Sequence, residues 1–262
     1  MQINKLLIKN KLLEKQGFTL VELSIVLTII GLLVTGTLIG QSLIQGAQIR
    51  ATIRQYNEFQ SGVTIFTGKY AAVPGDMLAA TATSYGFTGS GVGADGNGVI
   101  TNTAVGATSI TAGATYVGEI ANFWSELTTS GKELIPGYYN GALCNPCTAG
   151  THFPKMKYGN YGWGVYGVGG INYFYAGTLS PSTAAETGTG NAFPPMDAYS
   201  IDVKIDDGLP NSGNIIASSA STYFPTTPAP SLNCATSLAS NASYVTSYAG
   251  LACGLQFFMQ TF

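Results

Sequence analysis

From Leu23 to Ile49 the chain carries no charged residue, and a basic segment precedes this stretch. Lys5, Lys9, Lys11 and Lys15 stand against Glu14 in that leader, although the whole chain has a net charge of −2. Lysines stay on the cytoplasmic side of a membrane while the apolar run behind them enters the bilayer. The run is longer than the roughly 7 to 15 apolar residues of a secretory signal and reaches the roughly 20 needed to cross hydrocarbon. One transmembrane helix is therefore expected.

Two details do not fit a plain anchor: the leader ends abruptly at Gln16-Gly17, and a carboxylate, Glu22, sits at the start of the apolar run. An acid at the centre of a membrane helix costs roughly 2.5 to 3.5 kcal/mol, less near its end. Glu22 thus calls for a partner or a function, the other reading being a carboxylate solvated at headgroup level. Gly17-Phe18-Thr19-Leu20-Val21-Glu22-Leu23, continued by SIVLTIIGLL, resembles the cleavage and methylation motif of type IV prepilins and type II secretion pseudopilins.

The resemblance implies an α+β, pilin-like fold and cleavage between Gly17 and Phe18 by a prepilin peptidase that also methylates the Phe18 amine. The apolar helix is kept. Glu22 would pair with the new amino terminus of a neighbouring subunit as the helix leaves the lipid for a filament. The implied partners are the peptidase, other pilin or pseudopilin subunits, an inner-membrane assembly platform and membrane lipid. The implied location is the bacterial inner membrane, single-pass, with a periplasmic domain that later enters a pilus or pseudopilus. Where principal subunits carry a mid-helix proline, this chain reads VTGTLIG, with Ile39 at the matching position. That departure favours a minor or accessory subunit.

The expected organisation is a leader over 1–17, an assembly helix over 18–45, its amphipathic continuation over 46–72 and a globular domain over 73–262. Ile49, Ile53, Tyr56, Phe59, Val63, Phe66 and Tyr70 recur at steps of three and four, which is one face of a helix. Arg50, Arg54, Gln55, Asn57, Glu58 and Gln60 fill the other face, and Val73 before Pro74-Gly75 marks an end. Residues 71–118, rich in Gly, Thr, Ser and Ala, read as an irregular connection with short strands. A short helix follows around Ile120, Phe123, Trp124 and Leu127, with Trp124 as a core anchor and Gly131 as its C-terminal cap. Two strands flank Val168-Gly169-Gly170, and the alternation Tyr199, Ile201, Val203, Ile205 predicts a strand with one buried face. Ile215 to Ala217 and Leu251 to Met259 are further strand candidates.

Charged residues make up 9% of the chain, against roughly 25% in ordinary soluble domains, which suits an extracytoplasmic protein. The net charge argues against nucleic acid as a partner. Four cysteines fit two disulfides in an oxidising compartment, with three connectivities open. Cys144 and Cys147, in CNPC, read as a local structural loop. Cys234 and Cys253 resemble the disulfide-bounded C-terminal loop of many type IV pilins, so the expected pairs are Cys144 with Cys147 and Cys234 with Cys253.

No cofactor is required. Structural calcium is considered at Asp206 and Asp207, and at Asp95 and Asn97 in the tetrad Asp95-Gly96-Asn97-Gly98, for which a tight turn is the competing account. No catalytic constellation stands out and the chain is not expected to be an enzyme. The alternatives to a filament subunit are a membrane-anchored adhesin or glycan binder using the aromatic stretch 158–177, and a surface hydrolase using Asp202, Asp206 and His152.

Overall fold

A computed structural model describes residues 17–87, 94–101, 118–129, 131–141, 148–159, 161–178, 190–218 and 232–261. The chain divides into two compact units, Met1–Gln45 and Gly46–Phe262. Helix α1, Leu20–Tyr70, begins in the first and ends in the second. In the first unit its large apolar side chains, from Leu20 through Leu27, Leu33 and Ile39 to Ile44, are all exposed. The hydroxyls interspersed among them bond back to the helix's own carbonyls: Ser24 to Val21, Thr28 to Ser24, Thr35 to Gly31, Thr37 to Val34 and Ser42 to Ile39. These hydroxyls are thus satisfied within the helix, as an apolar surrounding requires.

The second unit combines the outer half of α1 with α2 (Ala79–Ser84), α3 (Glu119–Leu127), β1 (Gly162–Val168), β2 (Ile171–Gly177), α4 (Pro195–Ile205), β3 (Ile215–Ser218) and β4 (Gly254–Phe258). The strands form an antiparallel sheet in the order β1-β2-β4-β3. The architecture is α+β and pilin-like, a long amino-terminal helix followed by an antiparallel sheet. Gly169 and Gly170, both at positive φ, make the two-residue turn that joins β1 to β2.

The stripe on α1 forms the core, with Ile49, Tyr56, Phe59, Val63, Phe66 and Tyr70 buried and Ile53 packed against them. Phe59 is its centre. Its ring lies 5.0 Å from Trp124 of α3, 5.5 Å from Trp163 of β1 and 6.1 Å from Phe174 of β2, while Tyr56 reaches Phe257 of β4 at 4.8 Å. Trp124 is fully buried, a core anchor as its spacing implies. On β2 the face towards this cluster is Asn172, Phe174 and Ala176, leaving Ile171, Tyr173 and Tyr175 on the opposite face.

Gln55 and Gln60 flank the stripe instead of facing away from it. The Gln55 amide donates to Lys155 O at 3.0 Å and accepts from Lys157 N–H at 2.8 Å; Gln60 donates to Gln260 O and accepts from its N–H. Each side chain acts as a one-residue strand against an extended segment.

Three expectations need correction. The stretch around Tyr199 to Ile205 is helix α4, not a strand: Pro195 sits at its first positions, Asp197 in its first turn and Lys204 in its last, and its buried set includes Ala198, Ile201 and Asp202. Between 71 and 101 the described residues contain the short helix α2 and no strand. Helix α3 ends at Leu127 and its C-cap is Thr128, whose hydroxyl bonds Trp124 O at 2.8 Å, three residues before Gly131.

Phe59→Ala should destabilise the second unit by about 3 to 5 kcal/mol, since a centre touched by three other rings cannot collapse without leaving a void. Thermal unfolding of the detergent-solubilised full chain, followed by near-UV circular dichroism, measures this.

Candidate functional site

The motif Gly17 to Leu23 lies where the chain enters α1. Phe18 is 90% exposed just ahead of the helix. Thr19 and Glu22 form a reciprocal clasp: the Thr19 backbone N–H and hydroxyl both donate to Glu22 Oε2 at 2.8 Å, and Glu22 N–H donates to Thr19 Oγ1 at 3.2 Å. This is a capping box, in which an N-cap threonine and a glutamate three residues on satisfy amides that the first helical turn leaves open. The sequence carries its signature as Thr-x-x-Glu, and sequence reasoning missed it. Glu22 is thus held by its own helix through one oxygen, within four residues of the Phe18 amine.

A second group of functional candidates consists of buried acids. Asp76, in the turn after α1, accepts from Gly96 N–H at 2.8 Å and Gly98 N–H at 2.6 Å. Glu119 of α3 accepts from Asp95 N–H, from Thr101 N–H and from the Thr101 hydroxyl, and Glu126 accepts from Gly75 N–H at 2.7 Å. Gly75, at positive φ, lies so close to Glu119 O and the Phe123 backbone that any β-carbon would collide with them. The amides of the tetrad Asp95-Gly96-Asn97-Gly98 therefore wrap around Asp76, while Asp95 and Asn97 are occupied locally by Asn97 N–H and Val99 N–H.

The other acidic group is Asp202, Asp206 and Asp207. Asp202 is buried on α4, not exposed on a strand, and accepts from Gly208 N–H at 3.0 Å and from the Tyr244 hydroxyl at 2.7 Å. Asp206 accepts from Asn214 and Ile215 N–H, and Asp207 from Leu209 N–H and the Ser212 hydroxyl. Oxygens of these three acids, and likewise of Asp76, Asp95 and Glu119, come within 4.8 Å of one another. Amides and hydroxyls occupy them, so both groups close loops by hydrogen bonding.

Among the described residues, His152 does not join the Asp202 group and instead accepts from Thr148 N–H through Nδ1. The hydrolase grouping of His152 with Asp202 and Asp206 is therefore not assembled. Every described aromatic side chain from Tyr158 to Tyr175 is buried or half-buried, which leaves that stretch without an exposed ring platform for a glycan. Cys234 and Cys253 are joined by a disulfide with Cα atoms 5.3 Å apart, and Tyr244, inside the loop they close, supplies the hydroxyl to Asp202. Cys144 and Cys147 lie outside the described residues.

Burial pushes the Glu119 carboxyl up to about 7, against the lowering effect of its Thr101 bonds, and pushes Asp202 up to about 7 against its bonds from Tyr244 and Gly208. Asp76 is raised by the same cause.

Compared with known families, residues 14–38 match the prokaryotic N-terminal methylation motif, the prepilin signature of type IV pilins and pseudopilins. No curated protein and no solved structure is significantly similar to the chain.

Acids with raised native pKa values hold protons that the unfolded chain has already released, so between roughly pH 4 and pH 7 the native state binds more protons and stability falls as pH rises. The Tm of the full chain in detergent should be higher at pH 5 than at pH 8, and Glu119→Gln with Asp202→Asn should flatten that difference. A Tm that climbs from pH 5 to pH 8 would contradict the assignment.

Proposed function

We propose that this chain is a minor or accessory structural subunit of a type IV pilus-like or type II secretion pseudopilus filament, cut after Gly17 and methylated at Phe18 by prepilin peptidase. The methylation motif over residues 14–38, set at the mouth of an apolar helix, is the observation that carries this reading. The helix supports it physically. Its first half exposes apolar side chains on all sides and keeps its hydroxyls bonded to itself, so exchanging lipid for the helices of neighbouring subunits leaves those hydroxyls satisfied. The inner-membrane platform and its motor would supply the work, and the periplasmic domain would travel outward with the helix. The absence of a proline in VTGTLIG supports the minor or accessory role.

In this reading the capping box is the resting state of Glu22. Cleavage creates an ammonium on Phe18, and a bond from a neighbour's ammonium to Glu22 joins two full charges, whereas the Thr19 donors are uncharged. Glu22 changes partner, and the exchange sets the axial register between subunits.

Glu22→Gln keeps an acceptor for the Thr19 cap and removes the charge, so membrane levels should match wild type while incorporation into sheared filaments falls by about tenfold or more. Immunoblots of membrane and filament fractions read both quantities. Equal incorporation would show that the charge is not used in assembly.

A further inference from the structure

Four exposed cations stand at one level of α1. Arg50 and Arg54 lie one turn apart on its exposed face. Lys155 and Lys157 belong to an extended segment whose Lys155 carbonyl and Lys157 amide are both bonded to the Gln55 side chain, with Met156 between them buried. Residues two apart in an extended segment share a face, so both lysines stay exposed while Met156 enters the core. The segment is fixed further by Met156 N–H to Tyr161 O and Trp163 N–H to Pro154 O, both at 2.9 Å, and Trp163 Nε1 also donates to Gln55. Arg50 to Gln55 spans five residues, roughly 8 Å along the helix. The four residues therefore form a partial collar on the exposed side of α1, their backbone positions falling between the levels of Arg50 and Gln55.

None of the four forms a salt bridge among the described residues, and on α1 the nearest carboxylate is Glu58, one turn beyond Arg54. Five of the described acids, Asp76, Glu119, Glu126, Asp197 and Asp202, are buried and add little negative charge to the surface. Arg50 is also the first charged residue after the uncharged run that begins at Leu23. A collar that follows the end of a membrane-spanning run is tethered at the bilayer surface by the chain itself.

We propose that Arg50, Arg54, Lys155 and Lys157 bind the anionic phospholipid headgroups of the leaflet from which α1 emerges. The partner is a negatively charged planar surface, and a layer of cations at a single helix level lets all four reach it together. Lipid fits better than a nucleic acid, since the chain as a whole is net negative and the collar is small. In function the contact would hold the subunit on the membrane before extraction and break as the helix leaves. This inference rests on the reading of the chain as membrane-anchored.

The test uses the full chain in proteoliposomes of phosphatidylcholine alone or with 30% phosphatidylglycerol, treated with a membrane-impermeant amine reagent and read by peptide mass spectrometry. In the phosphatidylglycerol vesicles, Lys155 and Lys157 should react about five-fold more slowly, while Lys132 and Lys204 react at equal rates in both. The protection should vanish near 1 M salt, where screening shortens to about 3 Å. Arg50→Gln with Arg54→Gln, both on exposed positions, should bring the Lys155 rate towards its value in phosphatidylcholine.

Equal rates in the two vesicle types, or protection unchanged in the arginine variant, would overturn the proposal. So would protection that appears in phosphatidylcholine and grows with protein density, which would mean that a neighbouring copy covers the collar. Resistance to carbonate extraction is scored on the same vesicles. A chain lost from them refutes the membrane-anchored reading, whereas a retained chain with unprotected lysines refutes the lipid contact alone.

Discussion

Helix α1 has to satisfy two solvents with one backbone. Over its first half, every amide must be bonded within the helix and every side-chain hydroxyl must find an acceptor there, because lipid offers none. Beyond Ile49 the same helix becomes the largest single contributor to a protein core, and its side chains switch from apolar all round to a stripe. The absence of an internal proline lets Leu20–Tyr70 run as one element through that change. What the sheet contributes is a surface for the stripe: Trp163, Phe174 and Phe257 meet Tyr56 and Phe59, and Gln55 and Gln60 tie the flanking chain to either side.

Among the described residues of a chain with so few charges, five carboxylates are buried, and the loops explain why. Segments rich in Gly, Thr and Ser offer little apolar surface to offset their ordering entropy and leave many amides outside helices and strands. Asp76, Glu119, Glu126 and Asp202 accept from those amides directly, each replacing part of a sheet ladder. The Cys234–Cys253 disulfide does the same covalently for the C-terminal loop, worth about 3 kcal/mol in the chain-entropy account. Tyr244 links the two devices, since it sits in the disulfide loop and bonds Asp202 on α4.

Periodicity reveals elements that bury one clean stripe and fails where burial is shared. The α1 stripe, the β1-β2 hairpin around Gly169-Gly170 and the helix around Trp124 were all legible from spacing and turn residues. Helix α4 was not, because Tyr199 and Val203 are exposed apolar residues that complete a false alternation with Ile201 and Ile205. Its Pro194-Pro195 start and Asp197 were the better signals. Nothing in the spacing of Asp76 and Glu119 announces that they meet at 94–101, since that proximity is set by α1 and α3 packing. The capping box at Thr19 and Glu22 is readable from four residues as Thr-x-x-Glu.

Intact and peptide mass measurement of the mature chain, purified from cells that hold an active prepilin peptidase, tests the central claim most directly. The account predicts a chain beginning at Phe18 with one methyl group on its amine and the apolar helix retained. A chain that begins beyond Gly40, or one that still carries the leader in the presence of that peptidase, would contradict it.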